Sequence, residues 1–258
     1  MDENARSVSI FQRLVDAKAE VRRQAIYDVG IIRGQIAEAL IALLDDPDWR
    51  VRMDAARTIE HFPSPGAVKP LLRLLHDKHS EVRQAAAQYG IRGLGTPAIP
   101  LLEPLLAGGN PDTRTGAAIA LGRLMSIESV PALVHALEDP TATVRAAAAT
   151  SLGAIGGGTD DTDVALIAAL SDENDDVRAA AAGAPGQLFA ERAVEALISA
   201  LSDESPAVRR SAVISLEQIA SYHEDRKSEV LSALEAAKDS EQDEYVRDIA
   251  ISSIRRMH

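Results

Sequence analysis

A chain of 258 residues with 46% apolar and 26% charged residues is long enough for one or two packed domains and too apolar for wholesale disorder. Only 3% of its residues are aromatic, so a core must be built from Ala, Leu, Ile and Val, which suits close-packed helices. The lack of cysteine excludes disulfides, thiol chemistry and thiolate-bound metal, and a net charge of −12 argues against non-specific nucleic-acid binding by the body of the protein. No apolar run approaches the roughly 20 residues that span a bilayer. The start, MDENARSVSI, lacks the basic and apolar regions of a signal peptide. These features favour a soluble cytoplasmic protein with no membrane partner. Of 27 basic residues only five are Lys, at 18, 69, 78, 227 and 238. The Arg bias reflects either genome composition or fixed geometric roles, because Arg makes bidentate contacts that Lys does not.

Along the chain the dipeptide Val-Arg recurs at Val21-Arg22, Val51-Arg52, Val82-Arg83, Val144-Arg145, Val177-Arg178, Val208-Arg209 and Val246-Arg247, with Thr113-Arg114 where one more belongs. Four residues after each of these positions stands Ala, from Ala25 and Ala55 to Ala212 and Ala250. Five residues before, Asp16, Asp46, Asp77, Asp139, Asp172 and Asp203 keep step. Gly108 breaks the series in unit four and Glu241 in unit eight, where Asp239 is the nearest equivalent Asp. Eight units follow, at about 1–33, 34–64, 65–95, 96–126, 127–158, 159–190, 191–222 and 223–258.

Each unit reads as two helices. The first is short, as in 36–44, 67–75, 98–106, 129–137, 163–170, 193–201 and 228–236, with Leu and Ile at three and four spacing. Pro70, Pro100 and Pro131 fall in first turns, where a missing N–H costs nothing. A polar turn follows, and the second helix starts near Val-Arg and runs about twelve residues. Two helices cannot bury both faces alone, so neighbouring units must stack into a continuous core.

The Asp, Val-Arg and Ala-rich second helix resemble HEAT repeats, specifically the short bacterial and archaeal kind of phycobilisome-lyase-type proteins. The resemblance covers the whole chain. It implies an all-α fold, a right-handed α-α solenoid of eight HEAT-like helix pairs, with residues 1–258 as a single repeat solenoid and atypical units at its ends. It also implies second helices that line a concave surface.

At 100° per residue from each Val, positions zero, four, five, eight, eleven and twelve of the second helix face the core, and positions two, six and ten face away. That stripe, expected to form the inner, concave face, contains Arg23 and Tyr27, then Met53, Arg57 and His61, then Gln84, Gln88 and Arg92, then Ile119 and Arg123. Its 24 positions hold six Arg and one carboxylate, an inversion of the chain's net sign. Arg, Tyr and Met are enriched at interfaces, so the stripe is expected to bind another protein through an acidic or mixed polar-apolar segment. The bland alternative is a solvated helix face with Glu60 and Glu217 compensating nearby. The Arg after each Val points toward the packed side and needs an acceptor, which the repeated Asp supplies. Asp46, Arg52, Asp77, Arg83, Asp139, Arg145, Asp172, Arg178, Asp203 and Arg209 are thus expected to form a structural ladder.

Chemistry is poorly represented. Deoxyhypusine hydroxylase, a HEAT-like di-iron enzyme, uses four His-Glu pairs, and this chain has one, His223-Glu224. His76 and His79 read as a solvated turn more readily than a metal grip. Asp172, Asn174 and Asp176 begin like a calcium loop but lack its Gly and final Glu, so helix capping explains them better. The glycines at 156–158 and 108–109 have no phosphate-loop context. No catalytic residue, metal or cofactor is therefore assigned, and the chain is read as a scaffold or adaptor and not an enzyme. The alternatives are a subunit of a bilin-lyase-like chromophore system and, further off, a nucleic-acid-binding HEAT-like protein. Trp49 is expected to cap the neighbouring repeat, Pro185 to kink or end its helix early, and Gly90, Gly93 and Gly95 to weaken theirs. Long surface loops are expected at 157–162 or 221–227.

Overall fold

A computed structural model describes residues 12–29, 37–156, 159–188 and 190–257, with the side chains of 27–29 and 187 outside the description. The stripe residue Tyr27 thus lies on a described backbone with an undescribed side chain. The described residues are all helix and turn, with no strand among them. None of their helices is long and apolar enough to cross a membrane.

The chain divides into two compact units, Met1–Leu124 and Met125–His258. In the first, α1 (Ala19–Val29) is followed by the pairs α2 (Ala37–Leu43) with α3 (Trp49–Thr58), α4 (Val68–Leu74) with α5 (Ser80–Ala85), and α6 (Ile99–Gly108) with α7 (Pro111–Leu124). In the second, the pairs are α8 (Val130–Ala136) with α9 (Ala142–Ile155), α10 (Asp160–Ala169) with α11 (Asp175–Leu188), α12 (Val194–Ala200) with α13 (Pro206–Tyr222), and α14 (Lys227–Ser240) with α15 (Glu244–Met257). This is the all-α solenoid architecture of helix pairs that the repeat requires. Single 3₁₀ turns lead into five of the first helices, including Pro65–Ala67 and Thr96–Ala98, where Pro sets the backbone for the turn.

The repeat positions carry the packing. Val51, Val82, Val144, Val177 and Val208 are fully buried, as are Ala25, Ala55, Ala86, Ala117, Ala148, Ala181 and Ala212. Ala is required there because adjacent second helices pack side by side and a larger side chain would hold them apart. Leu40, Leu71, Leu102, Leu133, Leu166 and Leu197 of the first helices close the layer from the other side. Each contributes on the order of 1.5–3 kcal/mol of burial.

Two loop expectations are corrected, and of the two outcomes expected at Pro185 the early end of the helix does not occur. Pro185 lies inside α11, which runs on to Leu188, with Ala190 N–H closing onto Pro185 O at 2.9 Å. Proline removes one helical hydrogen bond here without stopping the helix. No long loop occupies 221–227: α13 extends to Tyr222, and a 3₁₀ turn, Glu224–Arg226, leads straight into α14. At 157–162, residues 157 and 158 lie outside the description, and Thr159 and Thr162 form a reciprocal capping box that starts α10 at Asp160.

The second helix of unit three is interrupted. After α5 the backbone takes a π-helical path over Ala86–Ile91 before a last α turn, Arg92–Leu94. Gly90 and Gly93 permit close approach. A Cβ at Gly90 would lie 2.4 Å from Leu71 Cδ2, and one at Gly93 would lie 2.3 Å from Glu60 Cα. Gly95 then ends the segment at φ +64°, a conformation glycine tolerates best.

Candidate binding surface and the inter-repeat ladder

The ladder joins successive repeats. Arg52 Nε and Nη2 donate to the two carboxylate oxygens of Asp77 in the next unit at 2.7 and 3.0 Å. Arg52 Nη1 donates to the backbone oxygen of Asp46 in its own unit at 2.7 Å. The pattern repeats for Arg22 with Asp46 and Asp16 O, Arg145 with Asp172 and Asp139 O, and Arg178 with Asp203 and Asp172 O. Each acid also accepts the backbone N–H two residues on, as in Asp77 from His79 and Asp172 from Asn174. One carboxylate thereby fixes its own turn and the repeat before it.

In unit eight the acid is Glu241, not Asp239: Arg209 donates to it at 2.7 and 2.8 Å. The longer side chain reaches the same place, while Asp239 lies 3.5 Å from Lys238. Arg83 differs from these rungs. It keeps the bond from Nη1 to Asp77 O at 2.8 Å, but the next unit offers Gly108 and no acid, and Arg83 is exposed.

Electrostatics follow from this geometry. The Arg145 guanidinium, with the Asn174 N–H, holds Asp172 below the usual carboxylate range. Burial pushes Asp77 and Asp203 up, but the guanidinium of Arg52 or Arg178 and a backbone N–H outweigh it, and both end below their ordinary value. Arg209 lowers Glu241 in the same way.

The stripe of positions two, six and ten in the first unit carries a different arrangement. The Arg57 guanidinium sits over the Tyr89 ring, 5.2 Å from its centre. Around this pair Asp54, Thr58, Glu60 and His61 line a recess of about 250 Å³. A second recess of about 330 Å³ adjoins it, lined by Glu60, His61, Gln88, Tyr89, Arg92 and Gly93. Arg57, His61, Gln88 and Arg92 are all exposed. His61 Nε2 lies 3.5 Å from Glu60. Among the described residues neither Arg57 nor Arg92 is within ion-pair distance of a carboxylate.

The remaining stripe residues are placed less uniformly. Arg23 Nε bonds the buried Asp54 at 2.7 Å, so its charge is already answered. Met53 and Ile119 are half-buried, and Gln84 and Arg123 are exposed but line neither recess. Tyr89, Asp54 and Glu60 were not on the counted stripe. Tyr89 stands seven residues after Val82, and the π turn takes up one residue, which rotates it onto the face where position six would lie. The three glycines of unit three were the available signal.

Elsewhere, Trp49 stacks on His79 of the following repeat, with ring centres 5.0 Å apart. His76 Nε2 contacts Asp112 O at 3.1 Å. Among the described residues no three His, Asp or Glu are grouped to hold a metal ion. Asn174 Oδ1 accepts from the N–H groups of Asp176 and Val177, which makes that stretch a helix cap.

Comparison with known proteins agrees with the helix pairs. The family described as HEAT repeats matches residues 8–92, 97–165 and 162–255. No curated protein matches the chain in sequence. Among solved structures, the complex of CpcE and CpcF of phycocyanin lyase from Nostoc sp. PCC7120 is 25% identical over 61% of this chain and 98% of that chain, with TM-score 0.52. Escherichia coli YibA is 18% identical over 98% of this chain and 95% of that chain, with TM-score 0.50. The Kap95:Nup1 complex reaches TM-score 0.72 at 15% identity, over 98% of this chain and 42% of that chain, so the chain spans less than half the length of that structure. The last two likenesses concern the fold alone. With matches that run through nearly the whole sequence and helix pairs in both units, the chain belongs to the HEAT-repeat family.

Proposed function

We propose that this protein is a non-catalytic, cytoplasmic scaffold that binds a partner protein through the second helices of its first unit, at the recesses around Arg57, Tyr89 and Arg92. The observation that carries this reading is a pair of exposed guanidinium groups without a carboxylate partner, one of them over an aromatic ring, in a chain of net charge −12. An acidic or mixed polar-apolar segment of a partner suits such a surface. Its acid would pair with Arg92 or the open edge of Arg57, and its apolar side chain would lie against Tyr89. Replacing Arg57 and Arg92 together by Glu is expected to abolish capture of the partner recovered with the native chain and to leave helicity unchanged. Undiminished capture would remove the stripe as the site.

A second reading has one specific observation behind it, the 25% identity to the CpcE and CpcF complex. On that reading the chain is a subunit of a bilin-handling system. The recesses offer one aromatic ring, Tyr89, for a tetrapyrrole to lie against. A shifted absorbance band after incubation with a bilin would favour this role over the scaffold.

A further inference from the structure

Among the described residues, the rung at Arg83 has its cation and a following repeat that offers no acid. In five rungs an Arg one residue after the repeat Val is oriented by its Nη1 bond to a backbone oxygen and presents Nε and Nη2 side by side to a carboxylate: Arg22, Arg52, Arg145, Arg178 and Arg209. Arg83 has the same orienting bond, to Asp77 O at 2.8 Å. Its Nε and Nη2 have no partner among the described residues. Glu81, the acid nearest in sequence, accepts from Ser80 Oγ at 3.0 Å and makes no hydrogen bond to Arg83 among the described residues, although the two charges are near enough to act on each other.

The position that supplies the acid in other units is Gly108. A Cβ placed there would meet no atom within 4 Å, so the space beside it is open. The second donor of each rung, the N–H two residues after the acid, corresponds here to Asn110 N–H, which has no partner among the described residues either. Gly109 and Asn110 also line a recess of about 490 Å³ with Leu72, His76 and Leu105, and Arg83 itself is exposed.

We propose that Arg83 is a receptor for a carboxylate brought by another molecule, an aspartate or glutamate side chain of a partner protein that completes the rung Gly108 leaves without an acid. The selectivity is written in the other rungs. A guanidinium fixed at one nitrogen presents two parallel donors at the spacing of carboxylate oxygens, which a freely rotating surface Arg does not. The proposal uses none of the residues around Arg57 and Arg92, so it stands or falls independently of the proposed partner face.

The test is a titration of the full chain with the blocked peptide Ac-Ala-Asp-Ala-NH2 and its Asn analogue, followed by nitrogen–proton NMR of Arg Nε–H and backbone amides. The Asp peptide is expected to shift Arg83 Nε–H and Asn110 N–H together and saturably. The Asn peptide should not, and Arg52 and Arg145, whose donors are occupied, should not move. In Arg83→Gln the Asn110 shift should vanish, and in Arg83→Lys, which keeps the charge without the fork, the response should lose saturation. A response at Arg83 no stronger than at Arg57 or Arg92, an Asn110 shift that survives Arg83→Gln, or full retention in Arg83→Lys would each overturn the assignment.

Discussion

Removing the carboxylate of Asp172 breaks the clamp between two repeats together with the Asn174 N–H bond that the same carboxylate accepts at 2.9 Å. Arg145 Nε and Nη2 donate to it at 2.7 and 2.8 Å, and each side chain is only about a tenth exposed, 10% for Arg145 and 11% for Asp172. Asp172→Ala leaves the guanidinium nearly buried, with Asp139 O at 2.9 Å as its hydrogen-bond acceptor and the exposed Glu173 carboxylate 3.7 Å from Nη2. Breaking a buried pair by deleting one partner costs about 3–5 kcal/mol. The residual exposure places this case near the lower end, about 3 kcal/mol. For a chain of this size that corresponds to a fall in Tm of roughly 6–12 °C. Replacing both partners, Asp172→Ala with Arg145→Met, removes the stranded charge and is expected to recover about 1–3 kcal/mol of the loss. Urea titrations followed by circular dichroism give all four corners of the cycle. The transition should also broaden in Asp172→Ala, because a stack of repeats is cooperative only through its interfaces. A loss below about 0.5 kcal/mol, the size of an exposed ion pair, would refute the reasoning and reduce the ladder to a surface ornament.

Glycine gives two opposed expectations. Gly93→Ala should cost about 1–3 kcal/mol, because the new Cβ would lie 2.3 Å from Glu60 Cα and two backbones must part. Gly108→Ala, at the helical end of α6 with open space around it, should be neutral or stabilising by up to about 1 kcal/mol. Thermal unfolding of the two variants decides the matter, and equal effects would contradict the packing described. The pH dependence has a definite sign. Asp77, Asp172, Asp203 and Glu241 are held below their ordinary values, and Asp48, bonded by Arg50, is lowered to about 2. A depressed folded pKa contributes stability that is complete above the unfolded value near 4 and is lost as pH falls through the folded one. Asp163, raised by burial and by Asp160, acts in the opposite sense, as one group against these five and the likewise lowered Glu81, Glu195 and Glu217. Tm should therefore be level above about pH 5 and drop between about pH 4 and 2. A flat profile across that window would show that the clamped acids do not act on folding.

The repeat made most of the architecture legible because its signal is redundant. Val, Arg, Ala and Asp recur in fixed register, and each has one structural task, so eight imperfect copies corrected one another. The direction of the ladder was not legible. Asp172 lies five residues before Val177 and 27 after Arg145, and spacing alone favours the nearer Arg178, which takes the backbone oxygen instead. Glu241 was passed over because an acid one carbon longer looked like a departure, although its reach restores the contact. The candidate site was half legible. Arg57, His61, Gln88 and Arg92 came from counting at 100° per residue, but Tyr89 did not, because the count assumes an unbroken α-helix. Asp54 shows the opposite failure: Arg23 was counted as a free cation, and a carboxylate three residues after Val51 had already neutralised it.

Departures from the repeat are not scattered evenly through the first unit. The π-helical segment, the glycines packed against Leu71 and Glu60, the Arg83 rung without an acid and the Thr113 that replaces Val all fall in repeats three and four. Each is locally unfavourable by the standard the other repeats set: a π turn strains the helix, glycine costs backbone entropy, and a guanidinium without its acid forgoes two charge-assisted bonds. A stack whose stability is a sum of neighbour interfaces is weakest where such terms coincide. Sequences are locally consistent except where another demand competes with folding. Here the same substitutions that weaken the interface also create what the regular repeats lack: an aromatic ring under Arg57, a recess beside Arg92, and an oriented guanidinium at Arg83. Drift would produce the losses without the matching gains, and the pairing of loss with gain supports the proposed partner face, which runs from Arg57 of repeat two into repeat three.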